Sequence, residues 1–193
     1  MELTDDKIQQ QRREKKRKQH IDFSQPVLVS EQYYEFIRTT IIEETASILL
    51  PGDFVDMPLD IAKIKYPMEN RPQIIKTSDD TGINFAFSLY NERFLEAQTA
   101  TGVKTLSSFI KRMQPSARFY TTQIEKNDNI TIGWFDLKTP GMDTQLYTIM
   151  ALASINEMML HCTFNCDFRL MNDWNPVAIE TFLSLVDETK KQE

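Results

Sequence analysis

Residues 130–186 read ITIGWFDLKTPGMDTQLYTIMALASINEMMLHCTFNCDFRLMNDWNPVAIETFLSLV. Three strand-forming runs, 130–138, 146–153 and 158–165, are separated by Thr139-Pro140-Gly141 and by Ser154-Ile155-Asn156-Glu157. In the last run Met158, Leu160, Cys162 and Phe164 alternate with Met159, His161, Thr163 and Asn165. That period of two puts a mostly apolar face on a core. The stretch closes at Asn172-Asp173-Trp174-Asn175-Pro176, where Asn172 suits a helix cap, Asp173 the positive end and Pro176 a first turn. Ile179, Phe182, Leu183 and Val186 then form the stripe that faces the sheet. With a strand at 119–124 immediately upstream, the region is an antiparallel meander of four strands closed by a helix, and it holds no constellation that chemistry would need.

Working outward, the period changes to helical over 101–113, where Val103, Leu106, Phe109, Ile110 and Met113 recur as an amphipathic stripe, Thr101 caps and Pro115 ends the helix. Ahead of it, 74–77 and 83–90 read as strands joined by Ser78-Asp79-Asp80-Thr81-Gly82, a cluster of turn formers. A short helix is expected over 59–66, stopped by Pro67. The folded body begins at Glu31 with two strands that make a hairpin about Glu43-Glu44, the second running into Pro51-Gly52-Asp53.

At 193 residues with 41% hydrophobic content the chain suits one domain, with no apolar run long enough for a membrane span. Residues 1–20 hold seven basic and four acidic side chains, so the net charge of −6 leaves −9 on residues 21–193. The organisation expected is a basic tail over 1–22, helical or disordered, a linker over 23–30, a single domain over 31–188 and a tail over 189–193. No apolar segment of the signal-peptide kind follows the basic residues, so a cytoplasmic protein is expected. Cys162 and Cys166 share a strand, where four residues span about 13 Å, beyond disulfide reach; both are expected as buried thiols.

The order of two strands, a short helix, two strands, a helix, four strands and a helix calls for an α+β fold, an antiparallel sheet of about six to eight strands flanked by helices. With Ser47-Ile48-Leu49-Leu50-Pro51-Gly52-Asp53-Phe54 ahead of paired strands and a middle helix, and a tryptophan-bearing helix at the end, the chain resembles the PsbP-like fold. That fold is shared by Mog-type Ran-binding proteins, photosystem PsbP subunits and bacterial DcrB-type proteins, the last being the nearest in kind. The resemblance covers roughly residues 31–188 and implies an α/β/α sandwich in a family whose members mostly bind other proteins, some as adaptors or chaperones. It carries over no site residue.

Chemistry is constrained by what the sequence lacks. The histidines are His20 and His161, and neither a G-x-S-x-G elbow nor a glycine-rich phosphate loop occurs among five glycines. His161 and Cys162 are strand neighbours and point to opposite faces, so they do not form a catalytic pair. No metal ligand set and no cofactor is expected. Trp134, Tyr147 and Trp174 are candidate anchors for a protein partner, against the alternative that they pack between sheet and final helix; Tyr33 and Tyr34 pose the same choice. Arg12, Arg13, Lys15, Lys16, Arg17 and Lys18 form a candidate contact for an anionic surface, against a solubilising tail, a contact for an acidic protein surface such as the chain's own body, or an import signal. The acidic body and the absence of aromatic residues from this run argue against nucleic acid. The leading expectation is a non-enzymatic module that holds a protein partner through a sheet face or edge, as an adaptor or chaperone, with a homodimer open. The rival is a small-molecule-binding protein or enzyme with a pocket between sheet and helix, using His161 or tyrosines.

Overall fold

A computed structural model describes residues 21–42, 45–126, 129–141 and 144–192. The basic run Arg12 to Lys18 lies outside the described residues. Seven strands form one antiparallel sheet in the order β5 (Val55–Asp56), β6 (Ile74–Thr77), β7 (Asn84–Arg93), β11 (Met158–Asp167), β10 (Gln145–Ile155), β9 (Thr131–Pro140) and β8 (Arg118–Lys126). The meander β8 to β11 is therefore the sheet's larger half, and β7 joins it beside β11. Asn156 and Glu157 turn the β10–β11 hairpin at φ of 50° and 55°, with Ile155 opposite Met158. This is the paired left-handed conformation that matches strand twist.

Alternation then decides what each face meets. Ile132 and Trp134 on β9, Tyr147, Ile149 and Ala151 on β10, and Leu160, Cys162 and Phe164 on β11 point into one core. That core is roofed by α3 (Met171–Leu183) and by a second sheet of three strands, β12 (Val186–Asp187), β4 (Ala46–Pro51) and β3 (Phe36–Ile42). The opposite face carries α1 (Leu59–Lys65) over Ile75 and Ala86, and α2 (Thr99–Met113) over Phe135, Leu137 and Leu152.

Several local expectations differ from what the chain does. Strands β3 and β4 pair with each other and with β12, not with the main sheet, so one outer layer is helix and sheet together. The 23–30 stretch is not a plain linker: β1 (Val27–Val29) pairs with β2 (Gln32–Tyr34), and the Phe23 ring stacks on Phe36 at 4.1 Å. The turn residues Ser30 and Glu31 sit at φ of 48° and 70°, a conformation that carries no glycine signature here. Helix α2 starts at Thr99 from a 3-10 turn over Glu96–Gln98, which leaves Thr101 inside the helix and not at its cap. Pro140 ends β9 as its last paired residue, opposite Gln145, and does not break the strand earlier. Pro176 is the sixth residue of α3 and lies past the first turn; the ring deletes one backbone bond of a helix whose burial on nearly every side sustains it. Beyond β12, Glu188–Gln192 forms a 3-10 turn tied down by Thr189, whose hydroxyl donates to Asp187 at 2.6 Å.

Candidate functional site

Helix α2 meets the sheet at an unusually small contact point. A Cβ on Gly133 of β9 would lie 2.5 Å from Val103 Cγ2 and 2.9 Å from Thr99 Cγ2, so the absence of a side chain lets the helix rest directly on the strand. Val103 is buried there, and Leu106 and Ile110 are half-buried beside it. The expected stripe is thus split: Phe109 is 47% exposed and Met113 64%, because the helix is turned with Val103 as its innermost residue.

A second stripe of α2 faces sideways across β10, β11 and β7. Gln98, Thr101, Gly102, Thr105, Phe109 and Arg112 follow helical spacing and form one wall of an open groove of about 670 Å³. From Gln98 to Arg112 that wall is about 21 Å long at the helical rise per residue. The other side is built from Leu152 on β10, Met159 and His161 on β11 and Tyr90 on β7, with Phe94 at the end nearest the start of α2. Strand register explains the set: Met159 stands opposite Tyr90, and His161 opposite Leu152 on one neighbour and Ser88 on the other.

The electrostatics of the groove are simple. Among the described residues no aspartate or glutamate lines it, and Arg112 is the one guanidinium or ammonium group that does. Burial pushes the His161 imidazole down to about 4, so the ring is neutral at physiological pH and offers one donor and one acceptor. Its Nε2 lies 3.4 Å from Thr163 Oγ1. Cys162 points into the opposite core, where burial raises its thiol pKa. Cys166 is likewise buried and free. The His–Cys pairing excluded from strand geometry is absent for that reason, and among the described residues no group of three or more His, Cys, Asp or Glu is placed to hold a metal.

The candidate anchors are interior residues. Trp134, Tyr147 and Trp174 are 1%, 0% and 0% exposed, so they present no surface to a partner, contrary to the anchor expectation. Trp174 packs among Tyr34, Phe54 and Phe164 with ring centroids 5.2–6.1 Å away. Trp134 donates its indole N–H to Glu125 at 2.8 Å. The Tyr147 hydroxyl donates to Asp136 Oδ2 at 2.8 Å and accepts from Asn175 Nδ2 at 2.6 Å, which links sheet to α3. The packing alternative is what these three do.

Comparison with solved structures identifies the architecture. The solution structure of cyanobacterial PsbP (CyanoP) from Synechocystis sp. PCC 6803 superposes with a TM-score of 0.57 at 8% identity, covering 79% of this chain and 92% of that one. The fold is PsbP-like. LpqN of Mycobacterium tuberculosis, a protein involved in cell envelope biogenesis, superposes at 0.52 with 7% identity over 82% of this chain and 93% of that one. PA94 of Pseudomonas aeruginosa, described as a protein of unknown function and putative regulator, gives 0.45 with 10% identity over 78% and 96%. No family model matches the sequence, and no curated protein matches it. The likenesses to CyanoP and LpqN bear on the PsbP-like fold and not on its Mog-type or DcrB-type members.

Sequence reasoning passed over Gly102, Thr105, Phe109, Arg112 and Met159 as groove residues. The signal that finds them is the second α2 stripe, in which Thr101, Thr105, Phe109 and Arg112 recur beside the apolar one.

Proposed function

We propose that this PsbP-like domain is a binding protein that holds an amphipathic organic molecule in the α2–sheet groove and carries out no covalent chemistry on it. The supporting observation is the groove itself: its volume of about 670 Å³ falls in the range of small-molecule sites, with apolar walls and a few convergent polar groups. A neutral histidine with no nucleophile beside it can orient a ligand and is poorly equipped to transform one. A thermal-shift screen of amphipathic compounds tests the proposal. A compound held at a hundred times its Kd adds about 2.7 kcal/mol, or about 5–10 °C for a domain of this size. Thr105→Trp, an exposed substitution that fills the groove, abolishes that shift if the proposal is right; a shift that survives it places binding elsewhere.

A second reading, a protein partner held as by an adaptor or chaperone, is favoured by the edge of the smaller sheet. Among the described residues no strand pairs with the outer side of β3, and Tyr33 and Ile37 are exposed at 69% and 51% beside a cleft with Gly52 and Asp53. Tyr33→Ser with Ile37→Ser is expected to release such a partner and leave ligand shifts intact. Kinship with DcrB-type proteins, a cytoplasmic location and a homodimer belong to this second reading, and binding to an anionic surface through Arg12, Arg13, Lys15, Lys16, Arg17 and Lys18 is a separate alternative. Among the described residues no helix is long and apolar enough to cross a membrane.

A further inference from the structure

Resting on the groove as a ligand site, the charge pattern within it narrows the class of ligand. Residues 21–193 carry −9, yet among the described residues no carboxylate lines the groove. Arg112 stands at its far end, on the turn of α2 beyond Phe109, and among the described residues it has no carboxylate partner. Two nearby cations are differently placed: Lys111 lies over the Phe119 ring at 4.8 Å, and Lys126 pairs with Glu96 at 3.2 Å. Leu106, Leu152 and Met159 supply apolar surface in the groove together with the rings of Phe94 and Phe109, and Thr101, Thr105 and the neutral His161 supply uncharged polar groups.

We infer that the ligand is an elongated organic monocarboxylate whose carboxylate is taken by Arg112 and whose apolar body lies along α2 over Leu152 and Met159. A guanidinium matches a carboxylate in planarity and offers paired donors, which a histidine in its neutral form does not. A single cationic group among the described lining residues offers partners for one carboxylate and none for the further charges of a polyanion. One charge at one end of an otherwise uncharged wall therefore selects for one charge at one end of the ligand.

Isothermal titration of the full chain with decanoate and with decan-1-ol tests this. Arg112→Gln is expected to weaken decanoate by about two- to fivefold, the worth of a well-formed ion pair at an exposed position, and to leave decan-1-ol unchanged. Arg112→Lys should recover part of the decanoate affinity. Both substitutions are at an exposed helix position, and circular dichroism is the check that each variant folds. Equal affinity of decanoate for the protein and for Arg112→Gln overturns the inference. So does a peptide with an apolar free C-terminus that displaces decanoate at a lower concentration than decanoate's own Kd. Compounds that bind in a manner blocked by Thr105→Trp, with no binding of decanoate, overturn this inference alone and leave the groove as a site. Decanoate binding that Thr105→Trp does not affect removes the groove itself.

Discussion

Gly133→Ala is the sharpest perturbation of the geometry that makes the groove. The added methyl would lie 2.5 Å from Val103 Cγ2, 2.7 Å from Ile124 Cδ1 and 2.9 Å from Thr99 Cγ2. Ile124 is 45% exposed and can swing away. Val103 and Thr99 cannot: both are buried, and a β-branched residue on a helix is held to a narrow set of χ1 rotamers. Relief must come from α2 lifting off β9, which loosens its contacts with Phe135, Leu137 and Leu152 and moves the wall that carries Thr105 and Arg112. Overpacking of this kind costs about 1–3 kcal/mol. In a domain of this size each kcal/mol corresponds to about 2–4 °C, so a fall in Tm of about 2–12 °C is expected. Differential scanning calorimetry reads it, and ligand affinity should fall in the same variant because the wall has moved. Gly102→Ala is the control on the same helix: its Cβ would meet the Phe94 ring at 3.0 Å and Leu152 at 3.2 Å, a milder clash that a ring can yield to. A Gly133→Ala protein with unchanged Tm and unchanged binding would refute the direct seating of α2 on β9.

Three further outcomes follow from named contacts. Trp174→Ala should destabilise by about 3–5 kcal/mol in urea unfolding, as for other large buried rings; loss of a partner at unchanged stability would instead make Trp174 a surface anchor. Tyr147→Phe removes the hydroxyl between Asp136 and Asn175 and should cost about 1–3 kcal/mol, read from the denaturation midpoint at constant m-value. His161 is held near 4 in the folded chain by burial against about 6.5 unfolded, so between those values the unfolded chain binds more protons and stability rises with pH. That contribution is complete above about pH 6.5, falls progressively below it by up to about 3 kcal/mol at pH 4, and should be absent in a His161→Gln variant whose stability is followed over the same range.

The meander was legible because its signals are local. Alternation in 158–165 reports which residues share a face, and Asn156-Glu157 is short enough to force a hairpin. The helix at 101–113 was legible for the same reason, through its period and Pro115. What was not legible depends on neighbours far away in sequence. The β1–β2 hairpin turns on Ser30 and Glu31, which adopt left-handed φ with no glycine to announce it. Strands β3 and β4 carry strand character without saying which sheet they join; pairing with β12, 135 residues or more further along, decides it. Periodicity gave α2 an apolar stripe that included Phe109 and Met113, yet Gly133 sets the helix's rotation and leaves Phe109 beside open space. The aromatic anchors failed as site residues for the converse reason: size and polarity fit interfaces and cores alike, and only the layer formed by α3 and the smaller sheet distinguishes them here.

Methyl NMR of the full chain labelled at methionine tests most directly that the α2–sheet groove takes the ligand. Met159 lines the groove, whereas Met171 is buried at the start of α3 on the other side of the sheet. With a compound found in the thermal-shift screen, the Met159 methyl signal should move in proportion to occupancy, the Met171 signal should stay, and Thr105→Trp should suppress the movement. A saturable binding isotherm during which the Met159 signal does not shift would contradict the site.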